Sequence, residues 1–264
     1  MRVLEFLFFL AIELILWVKM NKNTKGFTLV ELSIVLVIIG LIVSSILVGQ
    51  ELIEAASIKS QVSQIQTYQA SVGTFMAKYR AIPGDFSKAT TFGFAGSSGD
   101  GDGVLEDLSG NTGSSTTATG EITRFWQHLS EANMADGNYD GAQSDATLIS
   151  TYPRAKIGRG GLGVYKDGSG FNVFQIGVTN SVGGTVYSHE DCLTPHEAYA
   201  IDIRIDDGFP NAGLITARGG ISPDGVPSPA PGGVDSCVNT TPTIEEYAVQ
   251  EEDIQCQIKI RMLD

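Results

Sequence analysis

Few side chains in this 264-residue chain stand in arrangements that could do chemistry. The sharpest is a lone carboxylate, Glu31, in the otherwise uncharged apolar run from Phe27 to Val48. A carboxylate taken out of water is costly unless a cation meets it. Immediately before the run, the polar and basic segment from Asn21 to Lys25 abuts Gly26. A secretory signal is cut after its apolar core. Here the obvious processing point, Gly26/Phe27, precedes the core, so cleavage would discard the basic leader and keep the apolar helix. A second arrangement is acidic. Ser98-Gly-Asp100-Gly-Asp102-Gly103-Val104-Leu-Glu106 fits part of a 12-residue calcium loop, with Asp100, Asp102, the Val104 carbonyl and Glu106 at ligand positions and Gly103 at the turn. Its first and last positions are Ser98 and Ser109, where carboxylates are expected, and the stretch reads equally well as a solvated acidic glycine turn.

The remaining candidates are weaker. Cys192, Cys237 and Cys256 allow more than one pairing, and spacing does not choose between them. His189, Glu190, Asp191, Cys192, His196 and Glu197 gather metal-capable groups but match no zinc spacing, and Glu197 is explained as a helix cap. Gly168-Ser169-Gly170 lacks the Gly-x-Ser-x-Gly form of a nucleophile elbow, and no phosphate loop or dinucleotide fingerprint appears. No catalytic constellation is present in the sequence, so the reading is not an enzyme.

These residues need elements to position them. The 22 residues from Phe27 to Val48 make a helix about 33 Å long, enough to cross a bilayer. From Ile58 onward the apolar pattern narrows to one stripe, Ile58, Val62, Ile65, Gln69, Val72, Met76 and Tyr79, with Lys59, Ser60, Gln61, Ser63 and Gln66 off it. One helix of 53 residues, about 80 Å, is predicted from Phe27 to Tyr79, ended by Pro83-Gly84-Asp85. Further helices are predicted over Glu121 to Met134, with Ile122, Phe125, Trp126 and Leu129 on one face, and from the capping box Thr194-Pro-His-Glu197 to Ile205. Strands are predicted at Phe171 to Val178, Gly184 to Ser188, Leu214 to Ala217 and Gln255 to Met262. Gly93 to Gly120 and Gly219 to Gly233 read as loops, and His128 as a histidine with no visible partner.

The segment Gly26-Phe27-Thr28-Leu29-Val30-Glu31 resembles the prepilin motif of type IV pilins and type II secretion pseudopilins. The resemblance is strong over residues 21 to about 80 and weaker beyond. It implies an α+β, pilin-like fold. In that fold a long N-terminal helix, half transmembrane and half amphipathic, packs on a C-terminal antiparallel β-sheet head with long loops. It implies that a prepilin peptidase cuts after Gly26 and methylates the amino group of Phe27. It implies that Glu31 meets the Phe27 amine of a neighbouring subunit. Pilins often staple their C-terminal region, which implies Cys237–Cys256, with Cys192–Cys237 as the alternative and the leftover cysteine a buried thiol. No cofactor is required, and calcium is a candidate by analogy with some pseudopilin heads. Many type IV pilins kink their helix with a proline near position 48, which this chain lacks.

The expected organisation is an apolar extension over 1–19, a leader over 20–26, the long helix over 27–80 and a head over 81–264. Residues 1–19 would place a second apolar run ahead of a leader that must face the cytoplasm, so translation is expected to start at Met20. Residues 1–26 hold four basic and two acidic residues, which leaves 13 basic against 28 acidic and a net charge of −15. That balance argues against nucleic acid as a partner. The expected function is structural: a subunit assembled through its N-terminal helix into a type IV pilus or a secretion pseudopilus. The expected partners are the peptidase, other pilin or pseudopilin subunits and an inner-membrane assembly platform. The head is expected in the periplasm before assembly, with the helix in the inner membrane, and in a periplasmic or surface filament afterwards. The alternative is a filament-borne adhesin or receptor that binds through the loops at 93–120 or 219–233.

Overall fold

The long helix is present as α1, Leu29–Tyr79. The computed structural model describes residues 28–96, 98–106, 120–141, 152–158, 160–182, 185–190, 192–219, 237–240, 245–254 and 256–262. The chain divides into two compact units between Ile53 and Glu54. Within the first unit, the large apolar side chains of α1 are exposed, Leu29 and Ile53 at 87% and 72% among them, except for Val43, which is half-buried. This part of α1 is long and apolar enough to cross a membrane.

In the second unit the same helix turns one face into a core. Ile58, Val62, Ile65, Val72 and Phe75 are buried, at the 3.6-residue period expected of a one-sided helix. The stripe differs from the predicted one. Gln61, Tyr68, Ser71 and Phe75 are buried, whereas Gln69, Met76 and Tyr79 are only partly covered. Gln61, expected off the stripe, is fully buried because chain 154–156 lies over it: its Oε1 accepts from the Lys156 N–H at 2.7 Å, and its Nε2 donates to Gln64 at 3.1 Å. A buried amide is tolerated when bonded in this way. Helix α1 ends at Tyr79, ahead of Pro83, with Arg80 in the left-handed region (φ 56°).

Among the described residues two further α-helices follow, α2 at Glu121–Glu131 and α3 at Pro195–Ile205. The strands are β1 (Gly161–Lys166), β2 (Asn172–Val182), β3 (Thr185–Glu190), β4 (Ile215–Arg218), β5 (Val238–Thr240), β6 (Glu245–Tyr247) and β7 (Gln257–Arg261). An antiparallel path of four strands runs β1-β2-β7-β4, β3 pairs with the distal part of β2, and β5-β6 form a separate ribbon. This is the expected α+β, pilin-like layout. Register explains the core. Val164, Phe174, Ile260 and Ile215 form one cross-strand row, and Leu162, Ile176, Ile258 and Ala217 the next. All eight are buried, in one cluster with the inner face of α1 and with Ile122, Phe125, Trp126 and Leu129 of α2. Strand β1 was not predicted. Its Leu162 and Val164 alternate with Gly161 and Gly163, and the glycines disguise a strand whose inward residues are regular.

Cys237 and Cys256 are joined, with a Cα–Cα distance of 5.0 Å, and Cys192 is a buried thiol outside that bridge. The bridge ties the start of the β5-β6 ribbon to the start of β7. Replacing both cysteines by alanine should lower the unfolding free energy of the full chain by about 3 kcal/mol, since the closed loop spans 19 positions. Denaturant titration in detergent checks this.

Candidate functional site

The apolar end of the chain is built around a hydrogen-bonded turn. Thr28 precedes α1, and the Glu31 carboxylate folds back onto it. Glu31 Oε2 accepts from the Thr28 backbone N–H and from its hydroxyl, both at 2.8 Å, and the Glu31 N–H donates to Thr28 Oγ1 at 3.2 Å. This is a reciprocal capping box, in which N-cap threonine and N3 glutamate each satisfy a helix-terminal donor of the other. The pattern Thr-x-x-Glu occurs at 28–31 as it does at 194–197, where Thr194 and Glu197 form the same box. The pattern is legible in the sequence at both places. Gly26 and Phe27 lie outside the described residues. Residues 21–47 match the prokaryotic N-terminal methylation motif, which is the prepilin-type motif of type IV pilins and pseudopilins. The chain carries a prepilin-type motif. No curated protein and no solved structure gives a significant match. The matched segment takes in the start of α1, where nearly all the large apolar side chains are exposed.

The acidic loop is organised by residues outside it. Asp85, just past α1, is 2% exposed, and its two oxygens accept from the Gly101 and Gly103 N–H groups at 2.5 and 2.7 Å. Glu121, the first residue of α2, accepts from the Asp100 and Glu106 N–H groups at 3.1 and 3.4 Å. Asn172 clamps the loop's far end, accepting from the Leu105 N–H and donating to the Gly103 carbonyl. Asp100 and Asp102 close small turns by accepting from the Asp102 and Val104 N–H groups. Among the described residues, Asp85, Asp100 and Asp102 bring one carboxylate oxygen each within 4.8 Å of one another. Glu106, expected as a ligand, is not in that group. Asp85 is in it, although its place in Pro83-Gly84-Asp85 marks it in the sequence only as part of a helix stop. Burial and the charges of Asp102 and Asp100 raise the Asp85 carboxyl above its ordinary range. Burial, with the charges of Asp85 and Asp100, pushes Glu121 up to about 7.

His128 positions this arrangement. It is fully buried among Phe75, Phe86 and Phe94, and its Nδ1 accepts from the Gly84 N–H at 2.9 Å. Gly84 has φ +90°, and a Cβ there would run into the Glu121 carbonyl, so glycine is required. The histidine thus fixes the turn that delivers Asp85. Burial drives its pKa down to about 4, so it is neutral at physiological pH, as an accepting Nδ1 demands.

A second acidic group has a different use. Asp202 on α3 is buried and accepts from the Tyr247 hydroxyl at 2.6 Å and the Gly208 N–H at 3.2 Å. Asp206 and Asp207 fold onto the backbone N–H groups of Leu214, Ile215 and Phe209. The cluster fastens the turn after α3 and holds the β5-β6 ribbon through Tyr247. Burial, then the charges of Asp206 and Asp207, raises Asp202 from its ordinary 3.8 to about 6. A carboxyl raised on folding takes up its proton in the native state first, so it stabilises the fold as pH falls from about 6 to about 4. The gain in melting temperature between pH 7.5 and 4.5 should therefore be smaller in Asp202→Asn than in wild type. The corresponding stability difference is on the order of 2 kcal/mol.

Proposed function

We propose that this chain is a filament subunit, cut after Gly26, methylated on Phe27 and assembled through α1 into a type IV pilus or a type II secretion pseudopilus. The observation that carries this is the continuity of the methylation motif at 21–47 with a helix that is apolar and exposed at its start and buried in a head from Ile58 onward. Apolar surface leaving a bilayer must be buried again, and neighbouring copies of the same helix supply the surface in a repeating head-to-tail array. Before assembly the apolar half spans the inner membrane with the head in the periplasm. An oxidising compartment suits the Cys237–Cys256 bridge. The partners are a prepilin peptidase, further subunits and an inner-membrane assembly platform. The head plays a structural part, not an enzymatic one.

In this reading Glu31 exchanges Thr28 for the Phe27 amine of a neighbour, which sets register through a charge pair. The capping box makes the role separable. Glu31→Gln keeps a capping side chain but removes the charge, whereas Thr28→Ala removes the cap and keeps the charge. Glu31→Gln should leave cleavage intact and reduce incorporation into filaments about tenfold or more, while Thr28→Ala assembles near wild type. The readouts are mass spectrometry of the mature N-terminus, for methylated Phe27, and the sheared filament fraction. Normal filaments from Glu31→Gln would refute the charge pair, and an uncut N-terminus would refute the function.

The oxygens of Asp85, Asp100 and Asp102 are hard donors that suit calcium, and we assign them as its ligands in place of the set Asp100, Asp102, Val104 and Glu106. Calcium at a hundredfold excess over its dissociation constant should stabilise the chain by about 2.7 kcal/mol, and Asp102→Asn should abolish the gain. No change in melting temperature between millimolar calcium and a chelator counts against the site.

A further inference from the structure

We propose that a basic groove on one flank of the head seats the acidic segment Glu246–Asp253 of a second copy of this chain. The groove has a volume of about 750 Å³ and lies between the outer flank of α1, the turn at 133–139 and chain 153–156. Lys59, Arg154 and Lys156 line it and are exposed, and Asp136 is its one acidic side chain among the described residues. Three of the 13 basic residues that follow Gly26 therefore meet in one place, on a region of net charge −15. None of the three is in an ion pair among the described residues.

The wall that carries two of them is rigidly mounted. Gln61 takes the Lys156 N–H, Gln64 Nε2 donates to the Arg154 carbonyl at 2.8 Å, and buried Tyr152, Pro153 and Ile157 anchor the segment at both ends. Arg154 and Ala155 also extend the sheet edge, since Arg154 bridges to Gly161 and the Ala155 N–H donates to Gly160. A fixed backbone under three exposed cations is a preorganised surface, which lowers the entropic cost of docking.

The complementary surface is the acidic segment that begins on β6. Glu246, Glu252 and Asp253 are exposed, Glu251 is half-exposed, and none is in an ion pair among the described residues. The segment begins on β6, which packs on α3, and α3 packs on β4, the strand farthest from β1. It is held at both ends: Ala248 donates to the Cys237 carbonyl, Tyr247 is bonded to Asp202, and Cys256 is in the disulfide. Exposed Val249 and Ile254, at 38% and 46%, give it apolar surface beside the charge. No ion pair joins groove and segment within the chain among the described residues, so the contact runs from copy to copy. Such a heterologous contact repeats without closing wherever the rotation between copies does not complete a ring, which is the symmetry a filament needs. It also answers an electrostatic problem, because heads of net charge −15 repel unless cationic and anionic patches are brought into register.

The proposal rests on the filament function above and adds a head-to-head contact to it. The test places a photo-crosslinking residue at Ser63, an exposed neutral position in the groove, in the full chain in membranes. A second probe at Ile34 reports packing of the apolar helices. Irradiation at Ser63 should join two copies, with the partner peptide mapping to residues 246–254. Lys59→Glu with Arg154→Glu and Lys156→Glu should lower that yield about tenfold, as like charges then face each other. Mixing this variant with a copy bearing Glu251→Lys, Glu252→Lys and Asp253→Lys should restore it, which also excludes misfolding as the cause of the loss. Crosslinks from Ser63 to lipid, to another protein or to a different part of a copy overturn the proposal, as does a yield that ignores charge reversal or fails to return on mixing. Copies joined at Ile34 but not at Ser63 overturn the groove contact alone. Copies joined at neither position overturn it together with the filament function.

Discussion

One constraint governs the molecule: helix α1 changes its burial pattern part-way along. Before Glu54 its apolar residues surround the helix, and that is stable only in lipid or against other apolar helices. From Ile58 the apolar residues keep to one face, and that face is closed by the rows of the sheet and by α2. Burial of Ile65 and Phe75 at 0% exposure makes this half of α1 a core element of the head. The helix cannot slide along its axis without carrying Lys59 or Lys78 toward the core, so its register on the head is strongly specified.

Around that helix the polar groups act as positioning devices. His128 holds the Gly84 turn, Gly84 delivers Asp85, and Asp85 with Glu121 and Asn172 shapes the acidic loop. Gln61 and Gln64 do the same for the wall of the basic groove. Asp202 and the disulfide hold the acidic segment that begins on β6. Each device satisfies backbone donors or acceptors that a loop-rich head would otherwise leave unpaired in partly buried places. The head's loops are in this way fixed supports for charge.

What was legible in the sequence followed from local rules. The leader polarity, the length of the apolar run, the lone Glu31, the one-sided stripe after Ile58 and the capping box at Thr194 all depend on near neighbours in the chain. These suffice for a membrane-length helix, for the methylation motif and for an α+β head. The alternation of Cys256, Ile258, Ile260 and Met262 likewise identifies β7, because a strand with one buried face writes its period into the chain.

What only the tertiary structure decided is where distant groups meet. Asp85 joins Asp100 and Asp102 because the turn after α1 folds back against α2, and nothing in the spacing of Pro83-Gly84-Asp85 announces it. Gln61 is buried and His128 has a partner because segments about 95 and 44 residues away in sequence lie against them. Strand β1 exists because β2 offers it a register in which Leu162 and Val164 join the buried cross-strand rows. Lys59 and Lys156 line one groove only once chain 153–156 has crossed the helix. Local sequence sets the elements because helix and strand periods are short-range, whereas a site built from elements far apart in the chain depends on packing that no single segment records.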